Sequence, residues 1–108
     1  MLHPESRLVA VGVEATFHCK IADSLEPYWV VNNDPGLEPS QVTWLSNRGF
    51  FIADKRVEGG LAMLSLKVNG TADKNGTVVF CSSVQSIRSN PADLLIITGI
   101  SLAVVILY

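Results

Sequence analysis

Hydrophobic and polar residues alternate along several short segments of this chain. The clearest early run spans residues 11–21 and has an apolar residue at every second position: Val11, Val13, Ala15, Phe17, Cys19 and Ile21. Period 2 is typical of a strand with one buried face, so we expect this set to point into a core. Residues 61–68 repeat the pattern with Leu66 at the centre of the apolar face. Two regular, half-buried strands are therefore predicted.

The other apolar segments are shorter, and clusters of turn-forming residues separate them. Further strands are predicted at residues 28–31, 41–45, 76–83 and 90–98, and residues 50–52 are an apolar trio too short for a helix. Strict alternation in the first of these places Trp29 and Val31 inward and Tyr28 outward. No window has a convincing helical period of 3.6 residues. Many short strands with turns between them indicate an antiparallel sandwich or barrel.

The two cysteines, Cys19 and Cys81, lie 62 positions apart, and Trp29 falls early in the gap. This spacing fits a disulfide that joins two facing sheets with the indole packed against it. Two buried free thiols are the alternative, because cysteine is often buried without a bond. A disulfide closing a loop of about sixty residues would stabilise the fold by about 4 kcal/mol in the chain-entropy model.

Several motifs together resemble an immunoglobulin-superfamily domain over about residues 4–98. They are Ala-Thr-Phe-His-Cys at 15–19, Trp-Val-Val-Asn at 29–32, Leu-Ser-Leu-Lys-Val at 64–68 and Pro-Ala-Asp-Leu-Leu-Ile-Ile at 91–97. The resemblance, to divergent extracellular members of the V or I type, implies an all-β Greek-key sandwich of two antiparallel sheets. It also implies that Trp29, Phe17 and Leu66 are core residues. One departure is Val79, which stands where the family commonly has a tyrosine whose hydroxyl bonds to the upstream backbone.

Composition excludes several classes of function. The 108 residues carry a formal net charge of -2, from 8 basic and 10 acidic residues that are well mixed, so no footprint for nucleic acid is present. The chain lacks a glycine-rich phosphate loop, the usual hydrolase motifs and metal-ligand spacing. We therefore expect no enzymatic activity, no cofactor and no metal site, and a protein or glycan as the partner.

The last part of the chain, residues 94–108, contains no charged residue. The run is shorter than the roughly 20 residues needed to span a bilayer, and its first part overlaps the last predicted strand. We divide the chain into a domain at 1–98 and an apolar tail at 99–108. The tail is either the start of a transmembrane helix or a short hydrophobic tail. A glycolipid-anchor signal is a third alternative, although no polar spacer separates the domain from the tail. We favour an anchor, because exposed apolar residues promote aggregation.

Two further signals concern the surface of a secreted domain. Asn69 and Asn75 each begin an Asn-Gly-Thr sequon and are glycosylation candidates, although Asn-Gly is also a common turn dipeptide. Tyr28, Trp44, Phe50 and its neighbour Phe51 are candidates for exposed aromatic residues that contact a partner. Packing against the sandwich is the alternative for each aromatic residue.

These observations favour a cell-surface module that recognises a protein or glycan, including a second copy of itself, as part of a single-pass membrane protein. No signal-peptide pattern precedes the domain, which favours a fragment of a longer precursor. The alternative is an intracellular structural module of a scaffold protein, in which Cys19 and Cys81 stay reduced. The sequons and the apolar tail argue against that alternative.

Overall fold

The computed structural model describes residues 1–98, which form two β-sheets packed face to face. The five-stranded sheet has the order β1 (Arg7–Ala10), β9 (Ala92–Ile97), β8 (Thr77–Ser83), β3 (Pro27–Val31), β4 (Asp34–Pro35). The four-stranded sheet contains β2 (Ala15–Ala22), β7 (Leu61–Val68), β5 (Phe50–Ile52) and β6 (Arg56–Glu58). One helix, α1 (Pro39–Ser46), and two short 3-10 turns, Asp23–Leu25 and Ala72–Lys74, complete the secondary structure of the described part of the chain. This all-β sandwich confirms the predicted fold class.

The two longest strands, β2 and β7, pair antiparallel over their full lengths and confirm the alternation in the sequence. Phe17 lies directly opposite Leu66, and both side chains are fully buried. The inward assignment is wrong for Val11 and Val13, which are 50% and 49% exposed. They precede β2 in a turn around Gly12, whose φ of +90° breaks the strand alternation.

Trp29 occupies the centre of the core, as predicted. It is paired with Cys81 across β3 and β8, and both residues are fully buried. Cys81 is joined to Cys19 by a disulfide between the two sheets, with Cα atoms 6.5 Å apart. Val79, at the position of the expected tyrosine, is also fully buried, so apolar packing fills that corner.

The predicted strand at residues 41–45 is wrong, because Pro39–Ser46 forms α1. The helix begins at a proline, which is favoured in the first helical turn. Before it, the N–H groups of Leu37 and Glu38 both donate to Gln41 Oε1, at 3.1 and 2.8 Å. Local capping thus favours a helix where the short apolar pattern predicted a strand. Leu45 is the only residue of this helix that is buried.

The sheets are antiparallel except at one edge, where β1 pairs parallel with β9. The preceding residues reach the other sheet, since Leu2 forms an isolated antiparallel bridge with Lys20 of β2. The first segment of the chain therefore crosses from one sheet to the other, with the buried Pro4 between the two pairings. This crossing lets a single N-terminal segment protect the edges of both sheets.

Strand directions place the connections at two opposite ends of the sandwich. At one end, called here the β9 end, Gly12 N–H donates to Gly70 O at 2.8 Å and Asn69 N–H donates to Gly49 O at 3.1 Å. The turn from β3 to β4 also lies there, with Asn32 and Asn33 at φ of 48° and 69°. The opposite end carries residues 23–26, 59–60 and 84–91. Among residues 1–98, no helix is long and apolar enough to cross a membrane. The predictions for residues 99–108 lie outside the described residues.

Candidate functional site

The outward face of β3 and β8 forms a groove around Tyr28, which is half-buried as expected for an outward strand position. Tyr28 pairs with Ser82, and Val30 pairs with Phe80, so these four side chains lie on one face. The groove has a volume of about 550 Å³. We call it the Tyr28 groove and define it by Tyr28, Val30, Pro35, Phe80, Ser82 and Arg88.

Two residues of this groove, Phe80 and Arg88, were not singled out from the sequence. The guanidinium carbon of Arg88 lies 5.6 Å from the centre of the Phe80 ring, within the range of a cation–π interaction. Strand alternation in β8 could have assigned Phe80 to the outward face. The position of Arg88 depends on a loop and could not have been read from a period.

Serine hydroxyls order the loop that carries Arg88. Ser83 Oγ accepts from the backbone N–H groups of Gln85 and Ile87, at 3.3 and 3.1 Å. Ser89 is buried, and its Oγ accepts from Cys81 N–H at 2.9 Å and donates to Asn90 O at 3.0 Å. The loop is thus tied to β8 on both sides of Arg88. These bonds fix the backbone on both sides of Arg88 and leave its exposed guanidinium beside Phe80, where it can pair with a carboxylate or sulfate, while Tyr28 and Phe80 supply apolar contact area.

Trp44 lies on α1 and is 42% exposed, as expected from the sequence for a surface aromatic residue. The guanidinium of Arg48 stacks 3.5 Å from the centre of its indole ring. Trp44 lines a smaller groove of about 340 Å³ that also contains Pro35. Since Pro35 belongs to both grooves, the structure brings Tyr28 and Trp44 to adjoining surfaces.

Phe50 does not lie on the surface with Tyr28 and Trp44, and the prediction that it is exposed is wrong. In β5 it pairs with Val68 and faces the core with only 6% of its surface exposed. Its neighbour Phe51 points outward from the four-stranded sheet and is 41% exposed. Three apolar residues in a row carried no alternation, so the sequence could not decide which phenylalanine faced the core.

The two sequons lie at the β9 end and differ in what the fold does with each asparagine. Both asparagines are exposed. Asn75 Oδ1 accepts from Ile96 N–H at 2.9 Å, and the buried Thr77 hydroxyl donates to Lys74 O. Asn69 uses its backbone N–H toward Gly49. The amide of Asn75 therefore has a structural role, and the glycosylation of either residue stays a prediction.

A small charged network occupies the same end of the domain. The hydroxyl of Thr71 and the ammonium of Lys74 both bond to Asp73, and together they hold the pKa of its carboxyl below the usual value of 3.8. Lys74 Nζ lies 2.9 Å from Asp73 Oδ2 and 5.5 Å from the centre of the Phe50 ring. Lys74 and Asp73 thus form an ion pair at the surface.

The sequence matches no protein-family model and no curated protein. Its fold is similar to that of a domain in the twitchin kinase region from C. elegans (Fn31-NL-kin-CRD-Ig26). That match has a TM-score of 0.55 and 19% identity, and it covers 87% of this chain but only 15% of that chain. A titin M10–obscurin-like 1 Ig complex gives a TM-score of 0.48 with 16% identity, covering 89% of each chain. A chimeric titin Z1Z2 with an exogenous decorin peptide gives 0.46 and 15%, covering 90% of each.

Identity this low says nothing of shared activity, and only the fold follows from the twitchin match. The fold of the twitchin match agrees with three features of this chain: two packed sheets, a disulfide between them and a buried tryptophan. Residues 1–98 therefore form an immunoglobulin-like domain.

Proposed function

We propose that this immunoglobulin-like domain is an extracellular, membrane-tethered recognition module that binds a protein or glycan through the Tyr28 groove. The observation that carries the proposal is Arg88 placed over Phe80 beside the half-buried Tyr28, on an outward sheet face. Tyrosine and arginine are enriched among residues that dominate binding energy. The disulfide is compatible with an oxidising compartment.

An adhesion assay tests the groove. Cells that display the full chain are mixed with each other and, separately, exposed to an array of cell-surface glycans. We expect one of these probes to bind, and Tyr28→Ala or Arg88→Ala to weaken binding by about tenfold or more, since a dominant contact contributes at least ~1.4 kcal/mol. Phe51→Ala is the matched control, because Phe51 is exposed on the other sheet. Wild-type binding by both groove variants would refute the proposed surface.

The alternative is an intracellular structural module with reduced cysteines. The fold shared with a domain of the twitchin kinase region is equally compatible with this alternative. Thiol labelling of the protein taken directly from its own cells separates the two functions. Labelling of both Cys19 and Cys81 after denaturation without reductant would favour the structural module, and protection of both would favour the extracellular one.

A further inference from the structure

The β9 end of the domain holds the chain firmly up to the last strand residue. Val11 N–H donates to Ile97 O at 3.0 Å, so the end of β9 is tied to the turn between β1 and β2. Only Thr98 separates β9 from residues 99–108, which contain no charged residue. One residue spans at most ~3.6 Å, so whatever surface the apolar segment enters has to lie close to this end of the domain.

Two apolar side chains project from the same end. Val11 and Val13 flank Gly12 and are each about half exposed, at 50% and 49%. A Cβ placed on Gly12 would meet no atom within 4 Å, so the tip of the turn stands clear of the domain. The turn is nevertheless fixed, because Gly12 N–H donates to Gly70 O and Val13 N–H to Ala10 O, at 2.8 and 3.0 Å.

We propose that this turn rests in the interfacial layer of a phospholipid bilayer, with Val11 and Val13 in contact with lipid. The inference rests on the membrane-tethered role proposed above and specifies how the domain sits on that membrane. A bilayer is the occupant that the short connection from β9 to residues 99–108 brings against the turn.

The charges at this end fit a zwitterionic lipid surface. Lys74 is paired with Asp73 at 2.9 Å, and the exposed Arg48, which precedes Gly49, is offset by the exposed Glu14, next to Val13. The β9 end therefore carries no excess of positive charge that would select anionic lipid. Two valines on a rigid turn supply apolar contact instead.

This placement orients the whole sandwich. Its strands point away from the bilayer, and residues 23–26 and 84–91 lie at the far end. Arg88 lies in the second of these segments, so the Arg88 side of the Tyr28 groove is distant from lipid, whereas Pro35 lies nearer the β9 end. A domain seated in this way has little freedom to tilt.

The test uses the full chain reconstituted in phosphatidylcholine vesicles, with an environment-sensitive fluorophore on Val13→Cys. Val84→Cys is the matched control, since Val84 is 48% exposed and lies in the loop at the opposite end. We expect the Val13 label to emit at shorter wavelength in vesicles and to be quenched by spin-labelled lipid. The Val84 label should emit as in water and resist quenching.

Flotation of the unlabelled chain separates the two levels of the proposal. A chain that does not float with the vesicles overturns the membrane tether and this inference together. A chain that floats while the Val13 label behaves like the Val84 label overturns the lipid contact alone. A wavelength shift without quenching by lipid would place the label against protein and also overturn it. Val11→Cys serves as a second variant if Val13→Cys does not fold.

Discussion

Asn75 and Ile96 are joined by a hydrogen bond in which the Ile96 backbone N–H donates to Asn75 Oδ1 at 2.9 Å. The next residue, Gly76, donates its N–H to Leu94 O at 2.8 Å. Together these bonds extend the pairing of β8 with β9 beyond Thr77. The side-chain amide of Asn75 therefore replaces a backbone hydrogen bond in the five-stranded sheet, at a residue that also begins a candidate sequon.

We predict that Asn75→Ala, made in protein without glycans, lowers the free energy of unfolding by about 1 to 2 kcal/mol. A partly buried N–H of Ile96 would lose its acceptor, and the midpoint of thermal unfolding should fall by about 5–10 °C. Asn69→Ala is the control and should leave the midpoint nearly unchanged, because the bond of Asn69 to Gly49 uses the backbone. Equal midpoints for the two variants would contradict a structural role for Asn75.

Replacing both Cys19 and Cys81 by alanine should lower the free energy of unfolding by about 4 kcal/mol, because the disulfide restricts the unfolded chain. Chemical denaturation of the oxidised wild type and the double variant measures the difference. The reduced wild type is the control and should unfold near the double variant. A double variant as stable as the oxidised wild type would show that the bond does not constrain the unfolded state.

Trp29→Ala should cost about 3–5 kcal/mol, since it leaves a large cavity beside the disulfide. We expect Trp29→Phe to cost clearly less. The indole Nε1 is buried and has no hydrogen-bond acceptor among residues 1–98. Phenylalanine removes this unsatisfied donor while it keeps an aromatic ring in the core. Denaturant midpoints compare the variants. A phenylalanine variant as unstable as the alanine variant would contradict this account.

Gln41→Ala should destabilise the domain by about 1 kcal/mol through the start of α1. Gln41 Oε1 accepts from the N–H groups of both Leu37 and Glu38, which would otherwise lose their protein acceptor. Ser40→Ala, at an exposed neighbouring position, is the control. If both variants unfold at the same temperature as the wild type, the cap does not contribute to stability.

The Asp73 carboxyl should titrate below its usual range, and Thr71→Ala should raise its pKa, because the Thr71 hydroxyl is the main group that lowers it. A depressed pKa stabilises the fold above the unfolded-state value of 3.8 and loses that effect as pH falls through the folded-state value. Carbon NMR of the carboxyl group measures the titration. Thr43→Ala, on α1, should leave it unchanged, and an unaltered pKa in Thr71→Ala would contradict the assignment.

Regular patterning along the chain was sufficient to predict β2, β7 and the centre of the core. The period of 2 in β2 and β7 can be recognised without the tertiary structure. It also fixes the pairing register, because a shift of one residue would expose every apolar side chain, including Phe17 and Leu66. The spacing of Cys19, Trp29 and Cys81 likewise located the centre of the core. Regular alternation and this spacing together are enough to specify the fold class.

Other features depend on contacts between residues that are far apart in the chain, because local signals there were short or ambiguous. Residues 39–46 were missed for a different reason, because the capping box of Glu38 and Gln41 is a local signal that apolar periodicity does not reveal. Phe50 and Phe51 were distinguished only by the pairing of β5 with β7. The Tyr28 groove needed Arg88 brought over Phe80 by a loop. Contacts between distant residues create such surfaces, and no pattern along the chain encodes the contact itself.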